Sequence, residues 1–156
     1  MSKTLEFIEN RIRWRASQHD IPNKKSTFFF ENLTLEEQSH YLSHFNEKDI
    51  GKIILLFKGS KRNWTGIGTK MIFGYNGTEF HSVELNRIKD VDSKNRKEYF
   101  DKAESEKLKP KKFKKKNERE LLIIDSLGNE TVFITKKGHD LFALWNIMLM
   151  ITRFNE

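Results

Sequence analysis

No cysteine occurs among the 156 residues. That excludes a disulfide framework, a thiolate nucleophile and any zinc site built on cysteine. Long apolar runs are missing too. The longest, 141–151, is interrupted by Asn146 and is too short to span a bilayer. The opening MSKTLEFIENRIRW carries Glu6 and Glu9 where a secretory leader needs an apolar core, and it lacks a small-residue cleavage site. A cytoplasmic protein without a transmembrane segment is the expectation. Signatures of catalysis are equally scarce. His19, His40, His44, His81 and His139 are scattered, with no HExxH pattern and no nucleophile elbow. Gly66 and Gly68 match neither P-loop nor dinucleotide spacing. We therefore expect no enzymatic activity and no cofactor. No internal repeat is visible.

What is present is an aromatic, highly charged chain of single-domain length. Thirteen Phe and three Trp are too many for a disordered polypeptide, although the mean hydropathy of −0.70 marks part of it as strongly polar. The net charge of +7 is concentrated. Residues 94–119 hold twelve Lys and Arg against five Asp and Glu, which accounts for the whole excess and leaves the remainder neutral. Four Asn-x-Thr triplets, at Asn32, Asn63, Asn76 and Asn129, read as turn and cap residues.

Leu5, Ile8 and Ile12 fall at helical spacing, with acids early and arginines late, so a first helix is expected over 4–17. The stretch around Pro22 ends it, and Phe28, Phe29 and Phe30 anchor this arm on the core. Thr34 and Glu37 form a capping box, which predicts a helix from Leu35 to about Phe45. Its apolar side is Leu35, Tyr41, Leu42 and Phe45, with His40 and His44 opposite. An i, i+4 histidine pair suits a metal; the plainer reading is a solvated face.

From Gly51 the pattern turns to sheet. Ile53 to Phe57 is an unbroken apolar run of strand length, buried on both faces if it is a strand. A basic loop follows, then short β-rich segments at 64–69 and 71–75. Asn76-Gly77 is the favoured type I′ hairpin dipeptide, so 78–85 should return antiparallel. Ile88 and Val91 suit a further strand. Residues 94–118 interrupt the sheet with a helix-forming first half and a Lys-rich second half. Strands resume at 121–124 and 132–134. Gly138 opens a final helix that is apolar nearly all round, with Asp140 favourably placed in its first turn and Arg153 in its last.

Seven short antiparallel strands followed by one C-terminal helix resemble the pleckstrin-homology (PH) superfold. The residues carrying the likeness are 52–59, then Trp64-Thr65-Gly66-Ile67-Gly68-Thr69, then Met71-Ile72-Phe73-Gly74-Tyr75, with 83–88 and 138–151 following. They look like bacterial PH-like domains over about 51–152, although Lys70 stands where that pattern has Asp or Asn, and 94–118 lies outside the family's core. The resemblance implies an α+β, mainly β fold: a seven-stranded antiparallel sandwich or partly open barrel closed by a C-terminal helix. Residues 1–50 are then an N-terminal helical extension packed on a domain of 51–154. It also implies a module for interaction or membrane association.

Two segments are candidate contact sites. In lipid-binding PH domains the loop after the first strand grips phosphates, which here draws attention to Lys58, Lys61 and Arg62, with Trp64 either inserting at an interface or serving the core. The second is Lys109, Lys111, Lys112, Lys114, Lys115 and Lys116, dense enough to attract nucleic acid, an anionic membrane or an acidic protein, or simply a solvated loop. Phe113 alone makes no stacking platform, and no arginine fork reads bases there. The expected function is a non-enzymatic adaptor binding a partner protein within a larger bacterial assembly. The alternative is electrostatic binding to nucleic acid or to anionic membrane and phosphoinositide-like headgroups.

Overall fold

The computed structural model describes residues 3–107 and 118–156. The first helix, α1 (Leu5–Gln18), starts where expected: Thr4 is its N-cap, its Oγ1 accepting from the Phe7 N–H at 3.1 Å. Its buried side, Ile12 and Ala16, meets the last helix of the chain. After Pro22, the Asn23 side-chain oxygen accepts from the N–H groups of Lys25, Ser26 and Thr27, at 2.8 to 3.0 Å. That turn launches a strand which the unperiodic Phe28-Phe29-Phe30 run did not announce. This β1 (Thr27–Phe29) forms the edge of the larger sheet.

The capping box closes as predicted, with the Glu37 N–H on Thr34 Oγ1 at 3.1 Å and the Thr34 N–H on Glu37 Oε1 at 3.4 Å. The helix it opens, α2 (Leu35–Leu42), is shorter than expected. Asn46 caps a separate turn, α3 (Glu47–Ile50), before Phe45 could extend the first. Leu35 also departs from expectation. At the first helical position it lies beyond the packed face and is 81% exposed.

Strands β2 (Ile53–Lys58), β3 (Trp64–Gly68), β4 (Met71–Tyr75) and β5 (Phe80–Glu84) follow as an antiparallel meander, giving a five-stranded sheet with β1. The turn between β4 and β5 is not the two-residue type I′ form, which needs positive φ at both central residues. Tyr75 pairs with Phe80, and among residues 76–79 only Gly77 has positive φ. Asn76 Oδ1 instead accepts from the N–H groups of Thr78 and Glu79, so a side chain closes a wider loop.

A second, three-stranded sheet contains β6 (Ile88–Ser93), β7 (Glu120–Asp125) and β8 (Glu130–Ile134), with α4 (Lys94–Ser105) inserted after β6. Among the described residues the fold is therefore α+β with eight antiparallel strands in two sheets, one more strand than expected, and these sheets do not close into a barrel. β8 lies against β3, β4 and β5, and the Thr65 hydroxyl donates to the Ile134 carbonyl at 2.9 Å, joining the sheets. The last helix, α5 (His139–Phe154), buries Leu141, Leu144, Ile147, Met148 and Ile151. At about 1.5–3 kcal/mol per fully buried side chain, these five supply roughly 10 kcal/mol of gross stabilisation. Among the described residues no helix is long and apolar enough to cross a membrane.

Both faces of the larger sheet are covered. One core joins Ile12 and Ile21 to Leu55, Phe57, Ile67, Phe133 and α5; the other joins Phe30, Leu33, Tyr41 and Ile50 to Leu56, Trp64 and Phe73. Strict alternation would send Ile53 to the same side as Leu55. A bulge between Ile53 and Leu55 shifts the register, so Ile54 and Leu55 both enter the first core while Ile53 joins Leu56 in the second.

Candidate binding cleft

The basic loop between β2 and β3 is pinched at its base. The Gly59 N–H donates to the Asn63 carbonyl at 2.8 Å, and a β-carbon at Gly59 would fall 1.6 Å from Asn63 Oδ1. Only glycine permits this approach. The same Oδ1 is buried without a hydrogen-bond partner among the described residues. The loop's charged tip faces a cleft of about 580 Å3, whose other walls are the end of α2 and the β4–β5 hairpin.

Each wall has a local cause. Tyr41 comes from the buried side of α2 and meets the Trp64 ring edge-on at 4.9 Å. Burial, with Glu37 nearby, raises the Tyr41 hydroxyl above its ordinary pKa, so it stays protonated. The hairpin register places Tyr75 beside Phe80, rings 4.6 Å apart. His44 lies over Phe80 at 3.8 Å and 26° between planes. These three rings, inclined 26° and 32° across the two contacts, form one side of the cleft, and Phe80 remains 42% exposed.

The candidate residues from the sequence divide clearly. Lys58 lies 3.5 Å from Glu37 Oε2 and 4.7 Å from the centre of the Phe28 ring. Hydrogen bonding to the Thr34 backbone and the nearby Lys58 lower the Glu37 carboxyl below its ordinary value. Lys61 and Arg62 are exposed at the rim and form no ion pair among the described residues. Trp64 is not available for insertion at an interface: it is 5% exposed, set between Tyr41, Phe45 and Phe73. Its indole forms the floor of the cleft.

His40 and His44 do not form the i, i+4 pair the sequence suggested. α2 ends at Leu42, so His44 leaves the helical face and stacks on the hairpin. Among the described residues no group of three or more His, Cys, Asp or Glu could hold a metal ion. Lys109, Lys111, Lys112, Lys114, Lys115 and Lys116 lie outside the described residues. Arg119, which follows their segment in sequence, donates from Nη1 to Ser60 Oγ at 3.3 Å, on the basic loop itself.

Asp140 has a role that its helix-start position did not disclose. It is 4% exposed and accepts from Asn23 Nδ2 at 3.1 Å and from the Ser26 hydroxyl. The N-terminal arm is thereby tied to the start of α5. His81, on β5, is also part of the framework, packed edge-on to Phe133 with Nε2 buried and without a hydrogen-bond partner among the described residues. Burial depresses its pKa, against a smaller opposing effect of a hydrogen bond with the Val132 backbone.

Sequence reasoning missed Tyr41, Tyr75 and Phe80 as cleft residues. Tyr75 and Phe80 were accessible in principle, since any hairpin centred near Gly77 brings them side by side. No protein-family model, curated protein or solved structure matches the chain.

Proposed function

We propose that this chain is a non-enzymatic, PH-like interaction module that docks a partner protein, within a larger cytoplasmic assembly. The element order supports the PH-like reading. Beyond the edge strand β1, four and then three antiparallel strands precede the closing helix. The observation that carries the docking function is the cleft. Arginine, tyrosine and phenylalanine flank a recess with a buried tryptophan floor, on a sheet packed from both sides. Such side chains, held rigidly, dominate the energetics of protein interfaces.

The test is recovery of a partner from native lysate at low salt, comparing wild type, Phe80→Asp and a distant Leu127→Ala variant. A specific species retained by wild type and Leu127→Ala but lost with Phe80→Asp supports docking at the cleft. Recovery that is the same with Phe80→Asp, or no specific species at all, refutes it.

The contact between Arg119 and Ser60 favours one second reading, in which the Lys-rich segment and the loop act together on nucleic acid or an anionic membrane. Replacing the six lysines from Lys109 to Lys116 by Gln should then weaken binding to oligonucleotides or anionic vesicles and flatten its salt dependence. Unchanged binding would sink that reading.

A further inference from the structure

The cleft has a charge pattern that constrains its occupant. Its lining includes Lys58, Lys61 and Arg62 and no acidic residue. Glu37, beside this rim, is engaged by Lys58. Arg119 extends the cationic rim on the other side through Ser60. Opposite the cations stand the rings of His44, Phe80 and Tyr75, with Tyr41 and Trp64 below. An occupant complementary to both sides carries negative charge at one end and a flat apolar group at the other.

From this complementarity, and resting on the protein-docking function above, we infer that the cleft binds an acidic peptide segment of the partner through one aromatic anchor. The anchor's ring packs on Phe80 and Tyr75 above Trp64, and flanking carboxylates meet Lys61 and Arg62. Two observations favour a peptide. The recess is compact, about 580 Å3, in the size range of pockets that enclose one small ligand. A single nucleic acid strand needs a cationic track over about 4 or more nucleotides. A lipid phosphate alone would leave the half-exposed Phe80 ring uncovered, and with Trp64 buried the loop offers no aromatic wedge for a bilayer.

The experiment is fluorescence anisotropy with the full chain and a short fluorescein-labelled glutamate-rich peptide containing one central tryptophan. Parallel titrations use the same peptide with Ala for Trp, labelled oligothymidylate, and phosphatidylserine-containing vesicles. The expected result is saturable binding of the tryptophan peptide, weakened about tenfold or more by Arg62→Glu. Phe80→Ala and the Trp-to-Ala peptide should each give a comparable loss. Thermal melts should leave Arg62→Glu at the wild-type Tm and show Phe80→Ala, which loses ring contacts with His44 and Tyr75, still folded at the assay temperature. Equal affinity for the two peptides would overturn the aromatic anchor. Tighter binding of oligothymidylate or vesicles, lost in the same variants, would overturn the peptide in favour of those ligands. No binding of any probe would overturn the occupant proposed here. The lysate comparison with Phe80→Asp, which assumes no peptide chemistry, would then decide the docking function separately.

Discussion

Replacing Asp140 by Ala probes the tie between the N-terminal arm and the rest of the molecule. The wild-type carboxylate is buried at the start of α5 and accepts from Asn23 Nδ2 and the Ser26 hydroxyl. Hydrogen bonds to a charged group contribute about 1.5–3 kcal/mol each. Their sum must be reduced, because the mutation also releases the desolvation cost of a buried charge. Against that, the Ser26 hydroxyl, on a residue 5% exposed, loses its acceptor and keeps only the bond it accepts from Asn23 Nδ2 at 3.3 Å. The net expectation is a loss of about 3 kcal/mol. For a chain of this length that lowers Tm by about 6–12 °C, at roughly 2–4 °C per kcal/mol. Asp140→Asn should fall between, since an amide cannot accept from both donors with both of its polar atoms.

Urea unfolding followed by tryptophan fluorescence measures the loss, and a double-mutant cycle with Ser26→Ala isolates the contact. The coupling should be about 1 kcal/mol or more. Amide hydrogen exchange at residues 23–27 should accelerate in Asp140→Ala more than in β7. A loss under about 0.5 kcal/mol, or strict additivity with Ser26→Ala, would refute the reasoning that this acid clamps the arm.

Two further predictions concern the framework. A β-carbon at Gly74 would lie 2.4 Å from the Trp64 carbonyl oxygen and 3.2 Å from the Thr65 Cα, backbone atoms that cannot yield without parting β3 from β4. Gly74→Ala should therefore destabilise by about 3 kcal/mol, the upper end of ordinary overpacking, and an unchanged urea midpoint would contradict it. Stability should also fall on mild acidification. Burial lowers the pKa of His81, and burial with neighbouring Arg15 and His139 lowers that of His19, from an ordinary 6.5. Below 6.5 the unfolded chain binds protons that the folded chain does not, so stability is lost as pH drops from there towards the folded values. Carboxylates such as Glu9, lowered chiefly by its bond from Lys52, add their loss only below their ordinary 4.5. His81→Gln should flatten the first limb and spare the second. A urea midpoint that holds constant between pH about 7 and 5 would refute this assignment.

The parts of the fold legible in the sequence are those governed by local rules. Thr34 and Glu37 satisfy each other within one turn, and Ile53–Phe57 declares a doubly buried strand by its composition. Non-local choices escaped. Phe28 and Phe29 form a strand only because β2 lies beside them, and Ile53 changes core because of a bulge that no periodicity records. Leu35 looked like a core residue because its spacing fitted, yet a first-turn position lies outside the packing contact. The cleft was half legible. Lys58, Lys61 and Arg62 share a loop, but Tyr41, His44 and Phe80 reach it from other elements. Trp64 showed its chemistry in the sequence but not its direction, and direction decided whether it was probe or floor.

The pairing of α1 with α5 bears on how the chain is made. Ile12 and Ala16 are synthesised well before the sixteen-residue α5, which is packed against them. The core on that side of the sheet cannot close until α5 is available. The earlier segments must meanwhile wait with apolar side chains in water, a long-range closure of the kind that slows folding and invites association with other chains. Among the described residues the opposite core draws on Phe28 to Tyr75 and can be assembled while synthesis continues. One sheet would thus acquire its two faces at different times, with the aromatic floor of the cleft in place before the first and last helices meet.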